Sequence, residues 1–326
     1  MFRKIAATLA AVTVVVAMAG CAGATPTPDD NAAPASDGGG LISIIVNDPA
    51  NPYWTAEGDA AKAEAEKLGY TANVSAHKGD SKLESDLIDT AITNKSVAII
   101  IDPADADGSI GAVQKATDAG IPVFLVNAEI NEEGIAKGQL VSNNAQGAAL
   151  GATEFVKATG GKGIYVELKG KPSDNNAATR SNGYASVLSQ YPDLKLVGQE
   201  VANWDTKEAH DKTQTLLTAH PEITAIIAGN DTMALGAIAA LKEASRTDVI
   251  VGGFDGSPDA AAAVADGSMA YTVLQPVTIY ATAAVTQADA FLKSGKTGVA
   301  TEKQTFDCFL INKDNIAKYG SFSINP

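Results

Sequence analysis

Short runs of consecutive apolar, often β-branched residues recur along the chain, at 42–46, 98–101, 123–126, 163–167, 225–228, 249–252 and 271–274. Between them lie longer stretches with helical character, at 53–68, 82–93, 107–118, 145–158, 176–190, 206–219, 232–244 and 279–293. A strand that is apolar throughout has both faces covered, so the alternation predicts an α/β fold with parallel sheets packed between helices. Gly69, Gly120 and Gly160 stand at expected helix ends, and Pro122 follows one of them. The rhythm runs once to about Val126 and begins again near Val141. One sheet holding every repeat would be unusually wide, so two similar lobes are expected.

The N-terminal segment departs from this pattern. Met1-Phe2-Arg3-Lys4 is basic, residues 5–17 are apolar, and Met18-Ala19-Gly20 puts small residues ahead of Cys21. That order is a secretory signal, too short for a good membrane span. Its end resembles the lipobox of bacterial lipoproteins, which implies a signal peptide over 1–20, lipidation at Cys21 and an extracytoplasmic, membrane-tethered protein. The alternative is an ordinary secreted protein. Residues 22–40 are Ala, Pro, Thr, Asp and Gly without aromatics or periodicity, the composition of a flexible linker.

The net charge of -14 argues against a nucleic-acid partner, which needs clustered Lys and Arg. With Cys21 assigned to lipid, Cys308 has no partner, and 306–311 reads as a strand holding a buried, inert thiol. His77, His210 and His220 are far apart in sequence and are read as solvated surface. Asp105-Ala106-Asp107-Gly108 begins like a calcium loop but lacks the downstream glutamate, so it is read as a helix start. Neither a metal nor a cofactor is expected.

Several strands end in a polar residue: Asn47, Asp102, Asn127, Asn230 and Asp255. Ligands of open parallel sheets sit outside the carboxyl ends of the strands, so such a row is a candidate binding wall. Asn and Asp also cap helices. Asp102, ahead of Pro103, is read as a cap; Asn230 and Asp255 are read as site residues.

Asn51-Pro52-Tyr53-Trp54, Gly69-Tyr70, Asp102-Pro103, Ile121-Pro122-Val123, Gly229-Asn230-Asp231, Met233-Ala234-Leu235-Gly236 and Gly253-Phe254-Asp255-Gly256 occur in that order. Together they resemble the ribose-type substrate-binding proteins of bacterial sugar ABC importers, the type I periplasmic binding proteins, from Leu41 to the C-terminus. The resemblance implies two Rossmann-like lobes with parallel sheets, joined by a three-strand hinge and closing on one sugar. It implies a first lobe of 41–142 plus 276–306 and a second of 143–275 plus 307–326. It implies ligand contacts from Asn47, Asn51, Tyr53, Trp54 and Asn127 on the first lobe. Arg180, Trp204, Asn230 and Asp255 belong to the second, with Gln275 at a crossover. Asp174 and Asn176 could add contacts or cap a helix, and the cap is preferred.

This set suits a sugar. Asp, Asn and Gln serve hydroxyls that donate and accept, an arginine fork makes charge-assisted bonds, and aromatic rings cover C–H faces. Where the ribose branch has Asp-Arg, this chain has Asn127-Ala128-Glu129. Ribose itself is therefore doubtful, and sugar alcohols or other monosaccharides are expected. The expected function is a monomeric substrate-binding lipoprotein delivering such a ligand to membrane permease subunits. A chemoreceptor or quorum-signal binder of the same fold is the alternative. Glu129 and Asp255 could be nominated as a glycosidase pair, but no nucleophile motif accompanies them, and no enzyme is expected.

Overall fold

A computed structural model describes residues 39–324. The expected signal peptide over 1–20, Cys21 and nearly all of the expected linker lie outside the described residues.

The first sheet contains β1 (Leu41–Val46), β2 (Thr71–Ala76), β3 (Ala98–Ile101), β4 (Val123–Val126) and β5 (Gly138–Ser142). The second contains β6 (Gly163–Lys169), β7 (Leu194–Val201), β8 (Ala225–Ala228), β9 (Ile250–Gly252) and β10 (Tyr271–Leu274). Two late strands complete them: β11 (Lys303–Phe306) joins the first sheet beside β5, and β12 (Phe309–Asn312) joins the second beside β10. The orders are β11-β5-β4-β3-β1-β2 and β12-β10-β9-β8-β6-β7. All pairings are parallel except β10 with β12. A short hairpin of β13 (Tyr319–Gly320) and β14 (Ser323–Ile324) follows.

Central strands β3, β4, β8 and β10 are buried at every position, as their apolar runs predict. Helices α1 (Pro52–Lys67), α2 (Ser81–Thr93), α3 (Ile110–Asp118), α4 (Asn144–Thr159) and α5 (Asn175–Leu188) follow the early strands. Helices α6 (Thr206–Ala219), α7 (Asp231–Glu243), α8 (Pro258–Asp266) and α9 (Val277–Ser294) follow the later ones. On the first sheet α1 and α9 cover one face, and α2 with α3 cover the other around Ile45, Ile88, Ile99 and Val113. On the second, α4 and α5 enclose Phe155, Tyr165, Tyr184 and Phe254, while α6 and α7 lie opposite. The α6/α7 approach is close enough that a Cβ at Gly236 would collide with the Thr206 carbonyl oxygen.

The chain therefore passes between the sheets three times, after β5, after β10 and between β11 and β12. The first and third crossings are tied together. Asn143 N donates to Phe306 O (2.7 Å), Asn143 Nδ2 to Asp307 Oδ1 (2.9 Å), and Cys308 N to Gln146 Oε1 (2.9 Å). Cys308 thus lies in the gap between two strands, not within the single strand expected over 306–311, because Asp307 and Cys308 carry the chain from one sheet to the other. Its thiol is buried, and burial pushes it up to about 12.

Candidate functional site

The carboxyl ends of β1, β3, β4, β6, β7, β8, β9 and β10 are followed by the residues that meet between the two sheets. A small cavity lies there, and every expected ligand residue except Asn47 lines it. From the first lobe come Asn51, Tyr53, Trp54 and Asn127; from the second come Arg180, Trp204, Asn230, Asp255 and the crossing residue Gln275. Asn47 is half-buried and lines an adjoining outer groove instead, together with Asp48, Lys78, Lys171 and Thr232. Trp54 and Trp204 border both spaces.

Arg180 organises the second lobe's share. Its Nε donates to Asn144 Oδ1 (2.7 Å), its Nη1 to the Gly229 carbonyl (2.8 Å), and Nη1 lies 3.5 Å from Asp255 Oδ1. The guanidinium stands 4.0 Å from the Phe254 ring centroid and 5.2 Å from that of Trp204, a cation–π arrangement on each. Gln275 Nε2 donates to Asp255 Oδ1 at 2.7 Å, while Gln275 Oε1 is buried without a partner among the described residues. Asp255 has φ 130°, Trp204 66°, Asn203 48° and Asn127 62°. Such left-handed backbone in non-glycine residues stores strain that the surrounding bonds must hold.

The first lobe's share is also anchored. Asn127 Nδ2 donates to Asp102 Oδ2 (2.9 Å), Tyr53 Oη donates to Asn127 Oδ1 (2.9 Å), and Tyr280 shares a hydrogen bond with Tyr53. Asp102 is thus no helix cap: α3 begins at Ile110 behind Ser109, and the Asp102 carboxyl instead supports Asn127 from beneath. Nor is His77 solvated. It is fully buried, its Nε2 pairing with the Asp102 carbonyl (2.7 Å) and its Nδ1 accepting from Gly79 N (3.0 Å); burial lowers its proton affinity. Burial likewise pushes the Asp102 and Glu57 carboxyls well up, Asp102 adding its repulsion at Glu57.

Three residues combine two jobs. Asn51 caps α1 through Tyr53 N, Asp174 caps α5 through Asn176 N, and Asn230 caps α7 through Met233 N, yet all line the cavity. Capping and lining are therefore not alternatives for Asp174 or Asn230. Asn176 lines it too, donating to the Asn127 carbonyl at 3.1 Å and accepting from Asn144 Nδ2 at 2.8 Å. Glu129, nominated as half of a catalytic pair, is not among the lining residues and faces Lys303 at 3.6 Å.

The segment after β6 joins the lobes directly. Lys171 Nζ donates to the carbonyls of Gly79 (2.9 Å) and Ala104 (3.1 Å). Ala106 N donates to Ser173 O (2.9 Å), and Asn175 Nδ2 to Asn131 Oδ1 (2.8 Å). Nothing in the sequence marked Lys171, because its acceptors are backbone atoms brought together only by the fold.

With this geometry established, similarity to known proteins becomes specific. Residues 42–297 match the periplasmic binding protein domain. The chain belongs to that family. The periplasmic binding protein described here is 50% identical over 284 residues to the D-apiose import binding protein of Paraburkholderia graminis, covering 87% of this chain and 91% of that one. It is 33% identical over 259 residues to the ribose import binding protein of Escherichia coli, covering 78% and 86%. Among solved structures, an ABC transporter periplasmic solute binding protein from Actinobacillus succinogenes with bound D-allose superimposes with TM-score 0.80. That pair is 28% identical, covering 86% of this chain and 100% of that one.

Behind the cavity, Asp231 accepts from Ser257 N (2.7 Å) and Thr272 Oγ1 (2.6 Å). Burial, then repulsion from Asp255, pushes it up to about 8; burial pushes Asp255 up to about 6 against the pull of Arg180. The folded protein therefore holds protons that the unfolded chain releases above about pH 4. Their contribution to stability is complete below that pH and is lost as pH climbs toward 8. Asp231→Asn is expected to shrink the stability difference between pH 5 and pH 8, whatever its offset in absolute stability. Urea unfolding at the two pH values checks this, and an unchanged difference would contradict the assignment.

Proposed function

We propose that this periplasmic binding protein captures a neutral, pentose-sized sugar between its lobes and presents it to an ABC permease, with D-apiose the first candidate. The observation that carries the reading is the convergence of amides, carboxyls, one guanidinium and two indoles from both lobes on one small cavity. The amides can donate to and accept from hydroxyls, and Trp54 and Trp204 offer flat apolar area to C–H faces. Arg180 is the cationic residue of the lining and is engaged by Asn144, Gly229 and Asp255, with Asp174 nearby. A sugar acid would meet carboxyls without a free counter-charge. The 50% identity to a D-apiose import binding protein favours a branched five-carbon sugar over ribose, whose binding protein is more distant. The residues are arranged for binding, not for bond cleavage.

Calorimetry against D-apiose, D-ribose, D-allose and xylitol tests the ligand. Binding of D-apiose tighter than the others, and at least about tenfold weaker in Asp255→Asn, is expected, since a hydrogen bond to a charged group contributes about 1.5–3 kcal/mol. Equal affinity in that variant would remove Asp255 from the site.

Closure is the second part of the reading. Lys171 bridges the lobes without lining the cavity, so it stabilises the closed state for any ligand. Lys171→Met is expected to weaken every ligand by a similar factor, about tenfold, leaving their ranking intact. A change of ranking, or none in affinity, would count against the latch.

The third part is the tether. The basic start, apolar run and small residues before Cys21 support lipid attachment there. Wild-type protein should fractionate with membranes and Cys21→Ala should be released; identical fractionation of the two would exclude it.

A further inference from the structure

We propose that Gly170 is a specificity-determining residue: it seats the Trp204 indole and thereby fixes the size of sugar the cleft accepts. This inference rests on the sugar-binding reading above. Gly170 is buried directly after β6. A Cβ built there would fall within the six-membered part of the Trp204 ring, against Cζ2, Cη2 and Cε2. Yet the residue does not have the positive φ that would call for glycine on backbone grounds. Space for the ring explains it.

The opposite end of the seat is Gly229, after β8. A Cβ there would stand 3.1 Å from Trp204 Cζ3 and 3.3 Å from Met233 Cε. The indole therefore lies against bare backbone at the ends of two neighbouring strands. It cannot retreat, because its own main chain is pinned. Asn203 and Trp204 are both left-handed, Ala202 N donates to Lys169 O (2.8 Å), and Thr232 Oγ1 donates to Trp204 O (2.7 Å). A rigid ring on a fixed backbone must answer an added methyl by moving off the strand ends. The space that it borders is the cavity on one side and the outer groove on the other. Either displacement alters the wall that meets the ligand, and the wall's depth is what separates a pentose from a smaller polyol.

The positions form a double-mutant cycle. D-apiose, D-ribose and erythritol are titrated by calorimetry into wild type, Gly170→Ala, Trp204→Ala and the double variant. Gly170→Ala is expected to lose at least about tenfold in affinity for whichever pentose wild type binds, with a smaller loss for erythritol. In the Trp204→Ala background the same glycine substitution should change nothing, because no ring remains to be displaced. Losses that add across the cycle, or a Gly170→Ala protein with wild-type affinity and ranking, overturn the inference. If Gly170→Ala alone does not fold, removal of the ring in Gly170→Ala/Trp204→Ala is expected to restore folding, and a double variant that also fails to fold while Trp204→Ala folds overturns the inference as well. A wild type that binds neither pentose defeats the sugar-binding reading itself and takes this inference with it, an outcome distinct from an additive cycle.

Discussion

A guanidinium and a carboxylate held out of water shape the second lobe's half of the cleft. Arg180 reaches from α5 to α4 through Asn144, to the end of β8 through Gly229, and to the end of β9 through Asp255. Asp255 in turn fixes Gln275 on the crossing after β10. Removing one member of a buried pair typically costs 3–5 kcal/mol, because the other is left without its partner. Here the consequence is also geometric. One side chain sets the mutual position of four elements whose ends form a single wall.

The first lobe reaches the same result without a guanidinium. Asn127 is held by Asp102, Tyr53 and Asn176, so both its amide and its carbonyl are engaged before any ligand arrives. Preorganisation of this kind leaves fewer side chains to be ordered on binding. An amide at 127 can donate to Asp102 and accept from Tyr53 at once, which a carboxylate could not do.

How far the sequence foretold this depends on burial. Strands covered on both faces, such as Ala98–Ile101 and Ala225–Ala228, are apolar throughout and stand out. Edge strands do not: Thr71–Ala76 is exposed or half-buried throughout and alternates Thr, Asn and Ser with Ala and Val, so it offers no apolar run. Asn51, Tyr53, Trp54, Asn230 and Asp255 of the cavity lining were legible because ordered motifs carry them. Asp102 and His77 were misread because their burial follows from loop packing, and Lys171 was invisible because its partners are backbone carbonyls. Cys308 was placed in a strand because the apolar residues flanking it belong to two different sheets.

The double duty of Asn51, Asp174 and Asn230 has an evolutionary corollary. Each ends a helix while facing the cavity, and loss of such a side chain typically costs about 1 kcal/mol of stability. A lineage drifting toward a new nutrient would find those sites guarded by two selective pressures at once. Diversification should then concentrate at Gln275 and the two indoles, which close no helix and so can vary with less collateral damage.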